Sequence, residues 1–452
     1  MEIKDFEVEQ WMNLWETKCT YNVAETCVYS LSLDQLFELP GRVIANAAAV
    51  WGAKVHPNDK QAFLDAFAAR RLTYGDIEGR PDLLSGIAKL YRTVAPEHII
   101  PTHGAAGANA LVLSTLVNPG DHVVSVMPTY QQLYSIPEMC GAAVDVLHLE
   151  KENGYHVDVE ALDALCTPET KVICINNPDN PTGALLDGET LRAIVEVARK
   201  NDAWLHCDEV YRHLNQTDEY AESVVDLYDK GVTTSSMSKV WSLAGIRLGW
   251  CITKDEQLRR DLLSHRDYNL ISCGLFDEAV GAYALAHADA ILDRTRRIVR
   301  ENLATLLEWV ESEPHLSVVP PEAGTTALVY YDYDIPSYDF CTDMVKFNGA
   351  FVTPGDCFEE PKSFRVGYGY SDDTANCASN GEIERGLAEG AFGLDHVLGE
   401  LGDVLVGKVP GRTSAEDVTV FDSAGTALLD IACAKIALDA AARRGLGTVA
   451  EL

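Results

Sequence analysis

Through the middle of the chain, short unbroken apolar runs alternate with longer stretches of helical periodicity. Val172-Ile173-Cys174-Ile175-Asn176-Asn177 is continuous rather than alternating, the pattern of a strand buried on both faces of a parallel sheet. Ala203-Trp204-Leu205-His206-Cys207-Asp208 repeats it, and a helix over 188–201 fits between the two. Strands over 231–235 and 248–253 follow, and His122-Val123-Val124-Ser125-Val126-Met127 supplies one upstream that stops at Pro128. The alternation predicts an α/β sheet whose loop edge collects the polar residues that end each run.

The flanks read differently. An amphipathic stretch over 6–15 opens the chain, and a turn-rich loop over 71–79 precedes a helix over 81–94. A helical pattern from 276 to 311, carrying Asp293-Arg294-Thr295-Arg296-Arg297, leads into strands near 316–319, 326–331, 350–354 and 363–368 with a helix near 341–347. This predicts a smaller second domain, and 452 residues exceed what one ordinary core holds. Apolar residues make up 47% and mean hydropathy is −0.05, as in a soluble globular protein. A net charge of −33 argues against nucleic acid or an anionic membrane as partner. The twelve cysteines form no C-x-x-C pair and no metal-ligand cluster, so no metal is expected and a reducing compartment is. No apolar run is long enough to span a bilayer, and the first residues hold no signal core; a cytoplasmic location is the expectation.

The chemistry concentrates at Ser235-Ser236-Met237-Ser238-Lys239, followed by Gly245, Arg247 and Gly249. Hydroxyls and a guanidinium fork suit a phosphate. A partly desolvated lysine beside a cation has its pKa lowered and attacks aldehydes. Pyridoxal phosphate carries both groups, although the same five residues also suit a solvated Ser/Lys loop. His103-Gly104-Ala105-Ala106-Gly107 places small residues at a strand-to-helix turn, where a phosphate can reach backbone N–H groups; tight packing needs such a turn too.

The spacing Ser236-x-Ser238-Lys239 with Arg247 eight residues on resembles the cofactor-attachment site of class I/II aminotransferases, of fold type I. The resemblance spans about 5–371 and implies a role for each motif in turn. Lys239 binds pyridoxal 5'-phosphate as an aldimine, with Ser236, Ser238, Arg247, Gly104, Ala105 and Ala106 around the phosphate. Tyr130 stacks on the ring, Asp208 pairs with the pyridine nitrogen, and Asn180 (in Asn180-Pro181-Thr182-Gly183) and Tyr211 hold the phenolic oxygen. Arg365 grips the substrate α-carboxylate near Asn180, and Tyr74 reaches the phosphate of a neighbouring subunit, which implies a homodimer. The family carries a glycine-containing segment at the substrate mouth where this chain has Glu25; that carboxylate either reads a basic side chain or is an exposed or capping residue. The implied architecture is an N-terminal arm (1–40), a large mainly parallel-sheet domain (41–290) and a small domain (291–371).

From about 372 to 452 the text changes. Residues 399–414 and 418–430, with the alanine-rich stretch after them, resemble the C-terminal end of the ornithine cyclodeaminase/μ-crystallin family, a partial Rossmann-type appendage. No G-x-G-x-x-G follows a strand, so nothing here binds NAD on its own. The segment is either a fusion remnant or a packing appendage. The implied reaction is transfer of an amino group between an L-amino acid and a 2-keto acid. The same cofactor also supports lyases, decarboxylases and oxidases, and a non-catalytic binding module of this fold is the alternative outside enzymes.

Overall fold

A computed structural model describes residues 3–19, 21–39, 60–217 and 221–370. The segment after 371 that resembles the cyclodeaminase family lies outside them. Among the described residues the strands are β1 (Tyr21–Asn22), β2 (Ile99–His103), β3 (His122–Met127), β4 (Ala143–His148), β5 (Thr170–Asn176), β6 (Trp204–Asp208) and β7 (Gly231–Ser236). They continue with β8 (Leu248–Thr253), β9 (Leu316–Val318), β10 (Thr326–Tyr331), β11 (Ala350–Phe351), β12 (Thr353–Pro354) and β13 (Ser363–Gly367).

Seven strands form one sheet in the order β2-β8-β7-β6-β5-β3-β4. Every pairing from β7 through to β4 is parallel, while β8 runs antiparallel to both β2 and β7. The unbroken apolar runs have the expected cause. Val172 and Cys174 pack on one face with Val112, Val123 and Leu262; Ile173 and Ile175 pack on the other with Val124, Leu191 and Ile194. Helices Gly104–Leu116 and Glu256–Arg266 cover the first face and Gly188–Lys200 the second. Each such aliphatic side chain contributes about 1.5–3 kcal/mol by leaving water. Gly188–Lys200 is also well terminated, with Asp187 accepting from the Thr190 N–H at 2.7 Å and Arg199 and Lys200 in its last turn.

Two expected helices differ. The one expected over 81–94 ends at Ala88, because the Arg92 and Thr93 amides turn to the Asp226 carboxylate (2.7–3.1 Å) instead of to helical carbonyls. The long helix is two, Leu275–Ala286 and Ala288–Ser312. At the break the His287 amide bonds to Ala284 O, and its ring Nδ1 sits 2.9 Å from Tyr283 O, the acceptor a continuous helix would have used.

The small sheet is antiparallel, β12-β13-β10-β9. The arm belongs to it: β1 pairs in parallel with β11, and Trp11 Nε1 donates to Val352 O at 2.9 Å. At Gly367 the fit is closest, since a Cβ there would lie 1.8 Å from the Glu25 carbonyl oxygen. That contact lays residues 24–27 along the end of β13 and so over the edge of the large sheet. No helix among the described residues is long and apolar enough to cross a membrane.

Candidate active site

The C-terminal ends of β2, β3, β5, β6 and β7 point the same way, and the loops leaving them carry the polar groups, the usual place for a ligand in an open α/β sheet. Asp208 ends β6 and is buried. Its Oδ2 accepts from Asn109 Nδ2 (2.7 Å) and its Oδ1 from the Val210 N–H (3.0 Å). Thr234 Oγ1 donates to Asn109 Oδ1 (2.6 Å), and His206 Nε2 lies 3.3 Å from the same threonine oxygen. Burial pushes the Asp208 carboxyl up against the pull of Asn109, Val210 and Lys239, and it holds the His206 ring down to about 3, hence neutral. One oxygen of Asp208 thus keeps a fixed amide partner through a rigid chain of bonds.

A cradle forms where β2 passes into helix Gly104–Leu116. Gly104 has φ +66°, and a Cβ on it would lie 2.8 Å from Arg247 Nη2. Gly249 in β8 backs it, since a Cβ there would be 2.4 Å from the Gly104 carbonyl carbon. Arg247 is left-handed (φ 47°), which costs about 1–2 kcal/mol, and its Nη1 donates to Ala244 O at 3.1 Å. Ser236 ends β7 opposite Gly249, and its Oγ accepts from the Ser238 N–H at 3.2 Å. A guanidinium over a glycine at the start of a thirteen-residue helix, with serine hydroxyls beside it, fits a phosphate. A carboxylate fixed deep in the sheet fits a pyridine nitrogen.

Lys239 is half-buried. Its Nζ donates to Thr26 Oγ1 and lies 3.5 Å from Cys27 Sγ. Burial disfavours its charge, but Cys27, Tyr211, Glu25 and Tyr130 outweigh burial, and the net effect is a raised pKa. This corrects the expectation that a neighbouring cation lowers it: the nearest groups come from the arm and are anionic or acidic. The Glu25 carboxyl is held below its usual range. Burial opposes this, and Lys239 and the Cys27 N–H (2.6 Å to Oε1) prevail.

Tyr130 OH donates to Glu9 Oε1 at 3.2 Å, and its ring meets Phe6 at 5.0 Å between centroids. Arg365 comes from β13 and is buried; its Nη1 donates to Asn180 Oδ1 (3.0 Å) and its Nη2 to Thr353 Oγ1 (3.3 Å). Tyr211 is buried near both Lys239 and Arg365. Asn180, Asp208, Tyr211, Tyr130, Lys239, Arg365 and Glu25 therefore converge, and Gly104, Arg247 and Ser236 gather beside them. Tyr74 does not join them within the chain. It is 69% exposed, in a cleft of about 720 Å³ lined by Leu72, His103, Cys273 and Phe276. Sequence reasoning missed Asn109, Thr26, Cys27 and Glu9. Asn109 had a signal, being an amide in an otherwise apolar helical run; the others had none, because their partners lie more than a hundred residues away.

Comparison with known proteins agrees with this geometry. The family described as "Aminotransferase class I and II" matches residues 51–378, and the ornithine cyclodeaminase/mu-crystallin family matches 361–445. Capreomycidine synthase of Streptomyces vinaceus is 31% identical over 296 residues, 65% of this chain and 74% of that protein. Arginine–pyruvate transaminase of Pseudomonas aeruginosa is 29% identical over 311 residues, 66% of this chain and 78% of that one. A PLP-dependent aminotransferase from Streptococcus suis of known structure has a TM-score of 0.75 and 40% identity, covering 82% of this chain and 94% of its own. A cradle for phosphate, a buried carboxylate and a lysine on one sheet edge are what those relatives share, and the chain belongs to the class I and II aminotransferases, enzymes that work with pyridoxal phosphate.

Proposed function

We propose that the chain moves an amino group between an L-amino acid and a 2-keto acid, with Lys239 as the catalytic residue. The observation that carries this reading is the meeting of Lys239 with Asp208 and Tyr211 from the large sheet and Arg365 from the small one. Pyridoxal phosphate, when bound, supplies an aldehyde for the substrate nitrogen and a ring that accepts electrons from the substrate Cα. Gly104, Ala105, Ala106, Ser236, Ser238 and Arg247 would hold its phosphate, and Asp208 its ring nitrogen. Tyr130 would lie against the ring, and Asn180 and Tyr211 would hold the phenolic oxygen.

The chain's own residues do the rest. Lys239 Nζ takes the proton from the substrate Cα and returns one on the other side of the exchange. The Thr26 hydroxyl, accepting from Nζ, aims the amine. Arg365 binds the substrate α-carboxylate through its fork while Asn180 fixes the guanidinium plane. We read 1–40 as an arm that closes the mouth, 41–290 as the cofactor-binding unit and 291–371 as the unit that carries Arg365. A second copy would bring Tyr74 to the phosphate, which its exposure beside His103 supports. The ten unpaired cysteines of the described residues suit a reducing compartment such as the cytoplasm.

The test is absorbance of the purified holoenzyme as L-amino acids are added singly with no acceptor. The cofactor band bleaches with a true donor and returns with a 2-keto acid, and Lys239→Ala abolishes both changes. The similarity to a synthase favours, as a second reading, chemistry on the substrate without an amino acceptor. Ammonia release with no recovery by any keto acid would replace transamination by that reading.

A further inference from the structure

The arm helix Glu7–Trp15 lies across the mouth of the site with one face committed. Val8 and Trp11 are buried, Trp11 Nε1 donates to Val352 O, and Tyr338 OH donates to Glu7 Oε2 at 3.2 Å. Another face carries Glu9 and, seven residues or two turns later, Glu16. Glu9 keeps one contact, the Tyr130 hydroxyl on Oε1. The Glu16 carboxylate has no hydrogen bond or ion pair among the described residues. It also sits at the C-terminal end of its helix, where no basic residue is present and where the helix dipole disfavours an anion. Nothing in the helix itself accounts for a glutamate there.

The charges around the site do not balance on the substrate side. Glu25 faces Lys239 and its own loop amide, and Asp208 is set for a ring nitrogen. Glu16 feels Glu25 and Glu9, which add to burial in raising its carboxyl, with only Lys239 in opposition. An independent observation lies across the same cavity. Arg365 is 3% exposed, its Nε has no partner, and Glu9 is among the acidic groups whose field it feels. The site therefore keeps an unfilled donor for a carboxylate on one side and two unmatched carboxylates on the other. A substrate carrying an anionic head and a cationic tail satisfies both.

We propose that Glu9 and Glu16 form the subsite for the side chain of the donor amino acid, and that this side chain is positively charged, a guanidinium or an ammonium. The inference rests on the transamination reading for its kinetics but not for its binding. Glu9 then does two things, orienting the Tyr130 hydroxyl with Oε1 and meeting the cation with Oε2. Glu16 is the outer wall. Glu25 sits beneath them as the counter-charge of Lys239 and reads no side chain directly.

The test compares L-arginine with L-citrulline, which has nearly the same shape and no charge, in the holoenzyme. Wild type should favour arginine by about tenfold or more in kcat/KM, as a charge-assisted contact at a partly exposed site allows. Glu16→Gln and Glu9→Gln should each cut that ratio several-fold, chiefly through KM for arginine. A ratio near one in wild type, or one unmoved by both variants, overturns the proposal. So does an equal loss for both amino acids, which marks a structural role. Calorimetric titration of the same two amino acids keeps the two readings apart. Should no donor bleach the cofactor band, transamination fails; tighter binding of arginine than citrulline that Glu16→Gln abolishes still supports the subsite, and equal binding overturns it.

Discussion

Asp208 shows how little of an active-site residue's behaviour lies in the residue. Its position was readable, since an apolar run that ends in aspartate at a sheet edge is a recognisable pattern. Its partner was not, because Asn109 lies 99 residues earlier on a different element. Asn109→Ala should leave a buried carboxylate short of one bond and lower kcat about tenfold, with the cofactor still bound, as steady-state assay and absorbance together would reveal. Asp179, buried beside Asn180, gives a prediction about pH. Burial lifts its carboxyl from the ordinary 3.8 to about 7, against the hydrogen bonds from Thr182. A carboxyl raised on folding favours the native state below its unfolded pKa, and that contribution is lost as pH rises through about 7. Asp179→Asn keeps an acceptor for Thr182 and does not titrate. Its Tm should therefore gain on wild type between pH 4 and 7 and hold level above, and parallel melting curves across that range would refute it. Lys239 marks where residue types alone misled. The cation expected beside it is Arg247, but the groups that set its charge are Cys27 and Glu25, brought in by an arm more than 200 residues away.

At the scale of elements, the strands buried on both faces were legible because their runs are unbroken, whereas β4 was not. It is the edge strand, its burial alternates, and Ala143-Val144-Asp145-Val146 carries no continuous apolar signal. The reversed direction of β8 was invisible for another reason: nothing in a run of apolar residues encodes whether its neighbour runs parallel or antiparallel. Yet that reversal places Gly249 against Gly104 and closes the cradle. Gly249→Ala should push β8 off the start of helix Gly104–Leu116, at a cost of about 1–3 kcal/mol. We expect a lower Tm and a cofactor that dialyses away, and full retention of both would show that the strand can shift without harm. The helix break at His287 and the early end at Ala88 share one lesson. Periodicity reports which side of a segment is apolar, but not whether a distant carboxylate or a local ring has taken its hydrogen bonds.

For the whole molecule, the exposed cleft around Tyr74 leads to a test by mixing. Tyr74→Ala and Lys239→Ala should each be weak alone. Refolded together they should regain activity, because each hybrid dimer holds one site with both residues intact. A mixture no better than its parents, or a protein that sediments as a monomer, would count against a shared site. The clamp between Gly367 and the arm has a further consequence, for the birth of the protein. Trp11 is among the first residues to leave the ribosome, and its partner Val352 follows 341 residues later. At roughly 5–20 residues per second that interval is roughly 20 to 70 seconds. Through it, a helix bearing Trp11 and Trp15 must wait in water with its apolar face uncovered, a natural client for a holding chaperone. The part of the chain made earliest is the part placed last.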